Sequence, residues 1–153
     1  SGLGIIDVYL NNFYETDLNF TLIDKTHIEK KVSYGFDSIG QFYNHFDLTL
    51  DFLQSNGLNK NRVNLVDVDL KNNINQKFDL VISLLSMGYH YPINQYFEIL
   101  KKNTHLKTVF IFDIANEYSN FDDIADYFNS IKVIEKSNET RHNYLRICCK
   151  GLK

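Results

Sequence analysis

The sequence predicts an α/β fold with a mostly parallel sheet, helices on both of its faces and a C-terminal antiparallel hairpin. The hydrophobic period switches repeatedly between the spacing of a helix and that of a strand, without repeats, low-complexity tracts or a proline-rich linker. The 153 residues, 44% of them hydrophobic, are enough for one packed core. We therefore expect a single domain over residues 1–153.

The first half contains two predicted helices and two predicted strands. Ile5 to about Phe13 is a helix with a broad apolar stripe, and Phe20 to Ile23 is a buried strand. Residues 25–37 are predicted to form a loop with one turn. The second helix has Phe42, Phe46, Leu50 and Leu53 on one face and ends at Asn56-Gly57; the strand Val63 to Val68 follows.

The second half begins with the strand Phe78 to Ser83. A helix from near Pro92 to about Lys102 follows, since proline fits the first helical turn. The remaining predicted elements are the strand Thr108 to Phe112 closed by Asp113, a short helix from Phe121 to Phe128, and the strands Ile131 to Glu135 and Tyr144 to Cys149. The polar turn Ser137 to Asn143 makes the last two strands an antiparallel hairpin.

A glycine-rich start and a carboxylate twenty residues later predict half of a nucleotide-binding site. Gly2 and Gly4 precede the first helix, and Asp24 ends the first predicted strand. Glycines at the start of a helix let backbone N–H groups approach a ligand, and such a carboxylate can accept hydrogen bonds from both ribose hydroxyls. The strand that should precede the glycines is absent from the sequence, so we expect the chain to be a fragment of a longer protein.

In three positions the chain resembles the class I S-adenosylmethionine-dependent methyltransferases, which have a Rossmann-like fold. Ser1-Gly2-Leu3-Gly4 is similar to the tail of the family's glycine-rich loop, Leu22-Ile23-Asp24 to the acidic end of its second strand, and Phe78-Asp79-Leu80-Val81-Ile82-Ser83 to its fourth strand. The terminal hairpin also fits this family. The resemblance covers nearly the whole chain and implies a methyltransferase domain that lacks its first, central strand.

The resemblance implies S-adenosylmethionine as the cofactor and a role for each matching residue. Gly2 and Gly4 would pass close to its methionine and ribose portions, and Asp24 would hold the ribose diol. Asp67 and Asp69 both qualify to bind the adenine amino group; we prefer Asp69, with Leu70 against the ring. The segment from Ser83 to Ser86 would line the donor methyl group.

The segment after the fourth family strand also supplies a candidate catalytic base. A hydroxyl acceptor benefits from a base that takes its proton, and the imidazole of His90 titrates near neutral pH. Tyr89 and Tyr91 could form a stacking wall for a sugar or an aromatic acceptor. The segment from Gly88 to Pro92 is similar to segments of bacterial enzymes that O-methylate sugars, so we expect a small-molecule acceptor such as a sugar.

Two other functions remain open. A nicotinamide-dependent oxidoreductase would want a third glycine three residues after the second, and this chain has Asp7 there, where its charge would repel a pyrophosphate. A non-catalytic interaction domain with a degenerate cofactor site is the third hypothesis. It would follow if the absent strand left sheet edges exposed.

Composition argues against several other classes. A net charge of −3 without a dense basic run disfavours nucleic acid as a partner, and no apolar stretch is long enough to span a membrane. The chain is expected to be cytoplasmic. The histidines lack metal-ligand spacing, and the adjacent Cys148 and Cys149 would point to opposite faces of a strand as reduced core residues, so we expect neither a metal site nor a disulfide.

Overall fold

The structure, a computed structural model, describes residues 2–14, 17–24, 27–28, 43–67, 74–89, 93–115, 124–139 and 142–153. The chain divides into two compact units, Ser1–Asn73 and Ile74–Lys153. Each unit contains helices, parallel strands and antiparallel strands. The predicted mixed α/β class is confirmed, whereas the single domain over residues 1–153 stays a prediction.

The first unit contains helices α1 and α2 and a two-stranded parallel sheet. Its elements are α1 (Ile5–Phe13), β1 (Phe20–Asp24), β2 (His27–Ile28), β3 (Tyr43–Asn44), α2 (Phe46–Ser55), a 3₁₀ turn (Lys60–Arg62) and β4 (Val63–Asp67). β1 pairs in parallel with β4 over its whole length, from Phe20 beside Val63 to Asp24 beside Asp67. β2 and β3 form a separate antiparallel pair.

A small apolar core holds the first unit together. Its buried members are Phe20, Leu22, Leu53 and Leu58. Helix α1 has the predicted bounds, but it packs on this core through Val8 and Leu10 and leaves Tyr9 and Phe13 largely exposed. The stripe that the sequence predicted is thus only partly a packed face.

Helix α2 begins later than the sequence predicted. Phe42 lies outside the described residues, and Tyr43–Asn44 is a strand rather than helix. His45 adopts an extended backbone and its Nδ1 accepts a hydrogen bond from the Asp47 N–H at 3.3 Å, which satisfies one of the unpaired donors of the first turn. The predicted end at Asn56-Gly57 is confirmed, since Gly57 follows the helix with a left-handed φ of 88°.

The second unit is built on a four-stranded sheet in the order β5-β6-β8-β7. Its elements are β5 (Phe78–Ser83), a 3₁₀ turn (Ile93–Tyr96), α3 (Phe97–Asn103), β6 (Thr104–Ala115), β7 (Phe128–Glu139) and β8 (His142–Leu152). β5 and β6 are parallel, whereas β8 pairs antiparallel with both β6 and β7. The predicted terminal hairpin is confirmed, and its pairing extends further, to Glu139 beside His142.

Strand β6 is much longer than predicted. It starts at Thr104 and continues past Asp113 to Ala115, since both ends find pairing partners. Asp113 was expected to close the strand; instead it lies inside β6 with a fully buried side chain. Phe128, expected at the end of a helix, begins β7 and contacts Phe110 edge to face, with 5.0 Å between ring centroids.

The core of the second unit lies between α3 and one face of the sheet. Its fully buried side chains include Phe110, Phe112 and Ile147 on the central strands. Partly buried side chains of Val81, Leu145 and Leu152 surround them. In the described part of the chain, no helix is both long and apolar enough to cross a lipid bilayer.

Candidate cofactor and transfer site

The glycine-rich start forms a tight turn at the amino end of α1. Gly4 is the N-cap residue, with a left-handed φ of 80°. A Cβ atom there would lie 2.8 Å from Leu53 Cδ2 and 3.2 Å from Leu22 Cδ2, so the backbone passes directly over the buried core. Gly2 is also left-handed, with a φ of 57°, but faces open space. Only glycine fits position 4 without strain.

Gly2 and Asp24 contact each other directly. The Gly2 N–H donates to Asp24 Oδ2 at 2.9 Å, and the Gly2 carbonyl accepts from the hydroxyl of Thr49, a buried residue of α2, at 3.2 Å. Asp24 and its neighbour Asp67 are the last residues of two parallel strands and therefore lie at the same edge of the sheet. Ligands of parallel α/β folds bind at this carboxyl edge.

Asp7 adds a second carboxylate beside the glycines. It lies in the first turn of α1, where its backbone N–H donates to the Gly4 carbonyl at 3.1 Å. Burial raises the pKa of the Asp7 carboxyl from 3.8 to about 6, because the charged form loses water. At neutral pH the turn therefore carries a carboxylate held in an unfavourable environment, which would disfavour an anionic ligand.

The remaining predicted site residues are only partly covered by the structure. Asp69, Leu70 and His90 lie outside the described residues. Ser83 is the last residue of β5, and its hydroxyl accepts the Met87 N–H at 2.9 Å. Ser83 thus binds the middle of the post-β5 loop (residues 84–89), which overlaps the segment from Ser83 to Ser86 that the family resemblance places beside the donor methyl.

The post-β5 loop is fixed by a buried carboxylate that sequence reasoning did not assign to the site. Leu85 is the one described residue other than glycine with a positive φ, 50°, and its N–H donates to Asp113 Oδ2 at 3.1 Å. Further along the loop, the Gly88 carbonyl accepts the Ala115 N–H at 3.3 Å. The loop is therefore attached to β6 on both sides of Met87.

Asp113 belongs to a charged row across three strands, formed with Arg146 on β8 and Glu135 on β7. Arg146 contacts Asp113 through Nε at 2.7 Å and Nη2 at 3.1 Å, and Glu135 through Nη1 at 2.6 Å. These bonds raise the pKa of the Arg146 guanidinium above its usual value, with Asp113 as the main cause. Tyr144 donates its hydroxyl proton to Glu135 at 3.0 Å.

The charged row leaves Asp113 poorly suited to bind a cation. Oδ1 accepts from Arg146, and Oδ2 accepts from both Arg146 and Leu85. Among the described residues, no group of three or more His, Cys, Asp or Glu side chains is arranged to hold a metal ion. Sequence reasoning could have paired Asp113 with Arg146 only by knowing the register of β8, because 33 residues separate them.

The two cysteines are free thiols. Cys149 is buried in the core of the second unit, whereas Cys148 on the opposite face is partly accessible. Burial raises the pKa of the Cys149 thiol to about 12, so it is inert at neutral pH. Neither thiol is part of the candidate site.

A cavity of about 280 Å³ in the first unit lies at the opposite edge of the sheet from Asp24. It is lined by Leu18, Phe20 and the ion pair between Asp17 and Arg62, near the amino ends of β1 and β4. Because parallel α/β folds bind ligands at the carboxyl edge, we do not place the cofactor there.

Comparisons with known proteins identify the fold. No protein-family model and no curated protein matches the sequence. Among solved structures, a ribosomal protein L11 methylase from Lactobacillus delbrueckii subsp. bulgaricus matches 99% of this chain with a TM-score of 0.62 and 14% identity; the match covers 66% of that protein, slightly less than two thirds of its length.

Two further structures match over 99% of this chain. An rRNA methylase from Streptococcus thermophilus is 10% identical, with a TM-score of 0.59 and 82% of its own length covered. An S-adenosylmethionine-dependent methyltransferase from Clostridium acetobutylicum ATCC 824 is 17% identical, with a TM-score of 0.61 and 81% covered. The chain therefore has the Rossmann-like fold found in S-adenosylmethionine-dependent methyltransferases.

Proposed function

We propose that the protein is an S-adenosylmethionine-dependent methyltransferase. One observation carries the proposal: the Gly2 N–H donates to Asp24 Oδ2 at 2.9 Å, so the glycine turn and the acidic strand end form one site. The fold shared with a Clostridium acetobutylicum methyltransferase that is described as S-adenosylmethionine-dependent supports the same cofactor. NAD is the competing cofactor, and the partly buried carboxylate of Asp7 argues against its pyrophosphate.

Each predicted cofactor residue keeps its role in this proposal. Gly2 and Gly4 bring backbone groups to the methionine and ribose portions, and Asp24 accepts hydrogen bonds from the ribose diol. Asp69 binds the adenine amino group and Leu70 packs on the ring. Ser83, at the end of β5, lies beside the donor methyl.

Methyl transfer from a sulfonium is an in-line displacement, so most of the rate enhancement can come from alignment and the exclusion of water. His90 is proposed to remove the proton of a hydroxyl acceptor, a contribution of roughly 10² to 10⁴ in rate. A small molecule, such as a sugar, is the acceptor proposed from the sequence.

A macromolecular acceptor is the second candidate. One structural neighbour is an rRNA methylase and another methylates ribosomal protein L11. The expectation that nucleic acid is not a partner rested on charge alone, and these neighbours do not support it. A net charge of −3 disfavours a broad basic surface but leaves a local binding groove open.

We further propose that the complete methyltransferase sheet contains one more parallel strand. β1 has β4 as its partner, and β5 lies at the edge of its sheet next to β6. β1 and β5 correspond to the second and fourth strands of the family resemblance. In the described part of the chain each has one edge without a paired strand, and this favours the expected additional strand. A segment that supplies it would also supply the start of the glycine-rich loop.

Calorimetric titration of S-adenosylhomocysteine and of NAD tests the cofactor. We expect the chain to bind S-adenosylhomocysteine in preference to NAD, and Asp24→Ala to weaken binding at least tenfold, because each hydrogen bond to a charged group is worth about 1.5–3 kcal/mol. Asp79→Ala is the matched control, since Asp79 is an exposed strand carboxylate paired with His105. Preference for NAD would favour an oxidoreductase, and binding of neither would favour an interaction domain.

The acceptor class can be tested with methyl-labelled S-adenosylmethionine. Small-molecule, RNA and protein fractions of a cell extract are offered separately, and label in the small-molecule fraction is the expected outcome. Label in RNA or protein would move the proposal to a macromolecular acceptor. With the acceptor found, His90→Ala should lower turnover and leave S-adenosylhomocysteine affinity unchanged; an intact rate would rule out His90 as the base.

A further inference from the structure

The post-β5 loop begins with a backbone conformation that needs external support. Leu85 has a φ of 50°, in the left-handed region, which is strained for a residue with a Cβ atom. No glycine relieves this strain at position 85. A conformation of this kind persists only when surrounding contacts hold it, and such positions concentrate at active sites.

The contact that holds Leu85 is the hydrogen bond from its N–H to Asp113 Oδ2 at 3.1 Å. Asp113 is suited to hold it because its side chain is fully buried and cannot move to solvent. Ser83 pairs with Phe112 in the parallel register, so Asp113 lies one residue beyond the end of β5, where the loop turns back. Hydrogen bonds to a charged acceptor are about twice as strong as neutral ones.

A buried carboxylate needs a counter-charge, and Arg146 supplies it from the neighbouring strand. Asp113 and Arg146 are register partners on β6 and β8, and two nitrogens of the guanidinium contact the two carboxylate oxygens. Glu135, the register partner of Arg146 on β7, contacts the guanidinium on its other side. The row therefore fixes the position of Asp113 through the sheet rather than through the loop.

Two further bonds shape the loop around this point, one to the last residue of β5 and one within the loop itself. The Met87 N–H donates to Ser83 Oγ at 2.9 Å, and the Tyr89 N–H donates to the Ser86 carbonyl at 2.9 Å. Gly88, with a φ of 88°, has no space for a side chain: a Cβ atom would lie 3.1 Å from Ile114 Cγ2 and 3.2 Å from the Asp113 carbonyl oxygen. The loop is thus built to lie close against β6.

We propose that Asp113 is a positioning residue for methyl transfer, which holds the backbone of the post-β5 loop against the cofactor through the Leu85 N–H. This inference rests on the proposed function, since it takes the loop as the wall beside the donor methyl. Arg146 orients and neutralises Asp113, and Glu135 contacts only Arg146. Asp113 itself does not touch cofactor or acceptor.

The test compares three variants of the full chain: Asp113→Ala, Asp113→Asn and Glu135→Gln. Alanine removes the acceptor for the Leu85 N–H. Asparagine keeps one oxygen, which can accept from the Leu85 N–H, but its NH2 group cannot accept from Nε–H of Arg146, so that hydrogen bond is lost. Glu135→Gln changes the charge of the row without touching the loop and is the matched control.

The first readout is amide hydrogen exchange measured by NMR. In Asp113→Ala we expect the Leu85 amide to exchange at least tenfold faster, as the loss of a bond worth about 1.5–3 kcal/mol implies. Amides that pair β6 with β8, such as those around Ile111 and Cys148, should keep their rates. Asp113→Asn should retain most of the Leu85 protection, and Glu135→Gln all of it.

The second readout is the affinity for S-adenosylhomocysteine. Asp113→Ala should weaken it about tenfold, Asp113→Asn by less than threefold, and Glu135→Gln should leave it unchanged. An unchanged Leu85 rate in Asp113→Ala, or faster exchange spread evenly over β6 and β8, would overturn the inference and leave Asp113 with a purely structural role. Unchanged affinity in Asp113→Ala would overturn it as well.

The two proposals fail in different ways. If neither the wild-type chain nor a version extended by the segment that supplies the proposed additional strand binds S-adenosylhomocysteine, the proposed function is refuted, and the exchange rates alone decide whether Asp113 holds the loop. If Asp113→Ala does not fold, Arg146→Lys decides the matter, because it removes the two-pronged contact that orients Asp113. We then expect the Leu85 amide to exchange faster than in the wild type, and an unchanged rate would refute the inference.

Discussion

Replacement of Gly4 by alanine tests whether the glycine turn is constrained by the core beneath it. The residue has a φ of 80°, which costs alanine about 1–2 kcal/mol. The new Cβ would also lie 2.8 Å from Leu53 Cδ2 and 3.2 Å from Leu22 Cδ2. Both leucines are buried, so moving them adds about 1–3 kcal/mol. We expect the free energy of unfolding to fall by about 2–5 kcal/mol.

Gly57→Ala is the matched control for this prediction. Gly57 is also left-handed, with a φ of 88°, but a Cβ there would meet nothing within 4 Å. Its replacement should therefore cost only the backbone strain, about 1–2 kcal/mol. Urea unfolding of both variants, followed by circular dichroism, measures the difference. Equal losses for the two variants would show that the contact between the turn and the leucines does not constrain position 4.

Three further predictions concern Asp7, the cysteines and Thr49. Because the folded-state pKa of Asp7 is raised from 3.8 to about 6, the folded chain holds a proton more tightly, and stability falls as pH rises between these values. Asp7→Asn should therefore have a free energy of unfolding up to about 3 kcal/mol higher than the wild type at pH 8 and about the same near pH 3.5. Urea unfolding at the two pH values measures this, and an equal effect at both would contradict the prediction. A thiol reagent at pH 8 should modify Cys148 and spare Cys149, because burial raises the pKa of the Cys149 thiol to about 12. Mass spectrometry measures the labelling of each cysteine, and comparable labelling of native Cys149 would be inconsistent with its burial. Thr49→Val, which removes the hydrogen bond to the Gly2 carbonyl, should lower the free energy of unfolding by about 1 kcal/mol, and no change would mean that this bond adds nothing to stability.

Local hydrophobic patterns predicted several elements accurately. Helix α1 has the predicted bounds, between Gly4 as its N-cap residue and the extended Tyr14 as its C-cap residue. Strand β5 also has the predicted bounds, from Phe78 to Ser83. The terminal hairpin followed from two apolar runs around a polar turn. In each case the information lies within one continuous stretch of the sequence.

Elements that depend on distant partners were predicted less well. The start of α2 was missed because histidine is an uncommon N-cap residue and because Tyr43–Asn44 pairs with His27–Ile28. Strand β6 was predicted too short because Asp113, a charged residue, normally marks a strand end. Its burial depends on Arg146, which no local pattern connects to it.

The candidate site was also only partly predictable from the sequence. The contact between Gly2 and Asp24 was foreseeable, since their spacing is that of a strand-end carboxylate beside a glycine turn. The support of the post-β5 loop by Asp113 was not, because it requires the pairing of β5, β6 and β8. The assignments of Asp69, Leu70 and His90 fall outside the described residues and stay predictions.

The strand order β5-β6-β8-β7 has a consequence for folding during synthesis. β8 pairs with both β6 and β7, so these two earlier strands have no direct contact as neighbours in the sheet. The ribosome must release residues 142–152 before the sheet can close, since β8 is the last of these strands to be made. Until then the carboxylate of Asp113 has no guanidinium to neutralise it and must remain hydrated. The second unit should therefore fold only after β8 has left the exit tunnel.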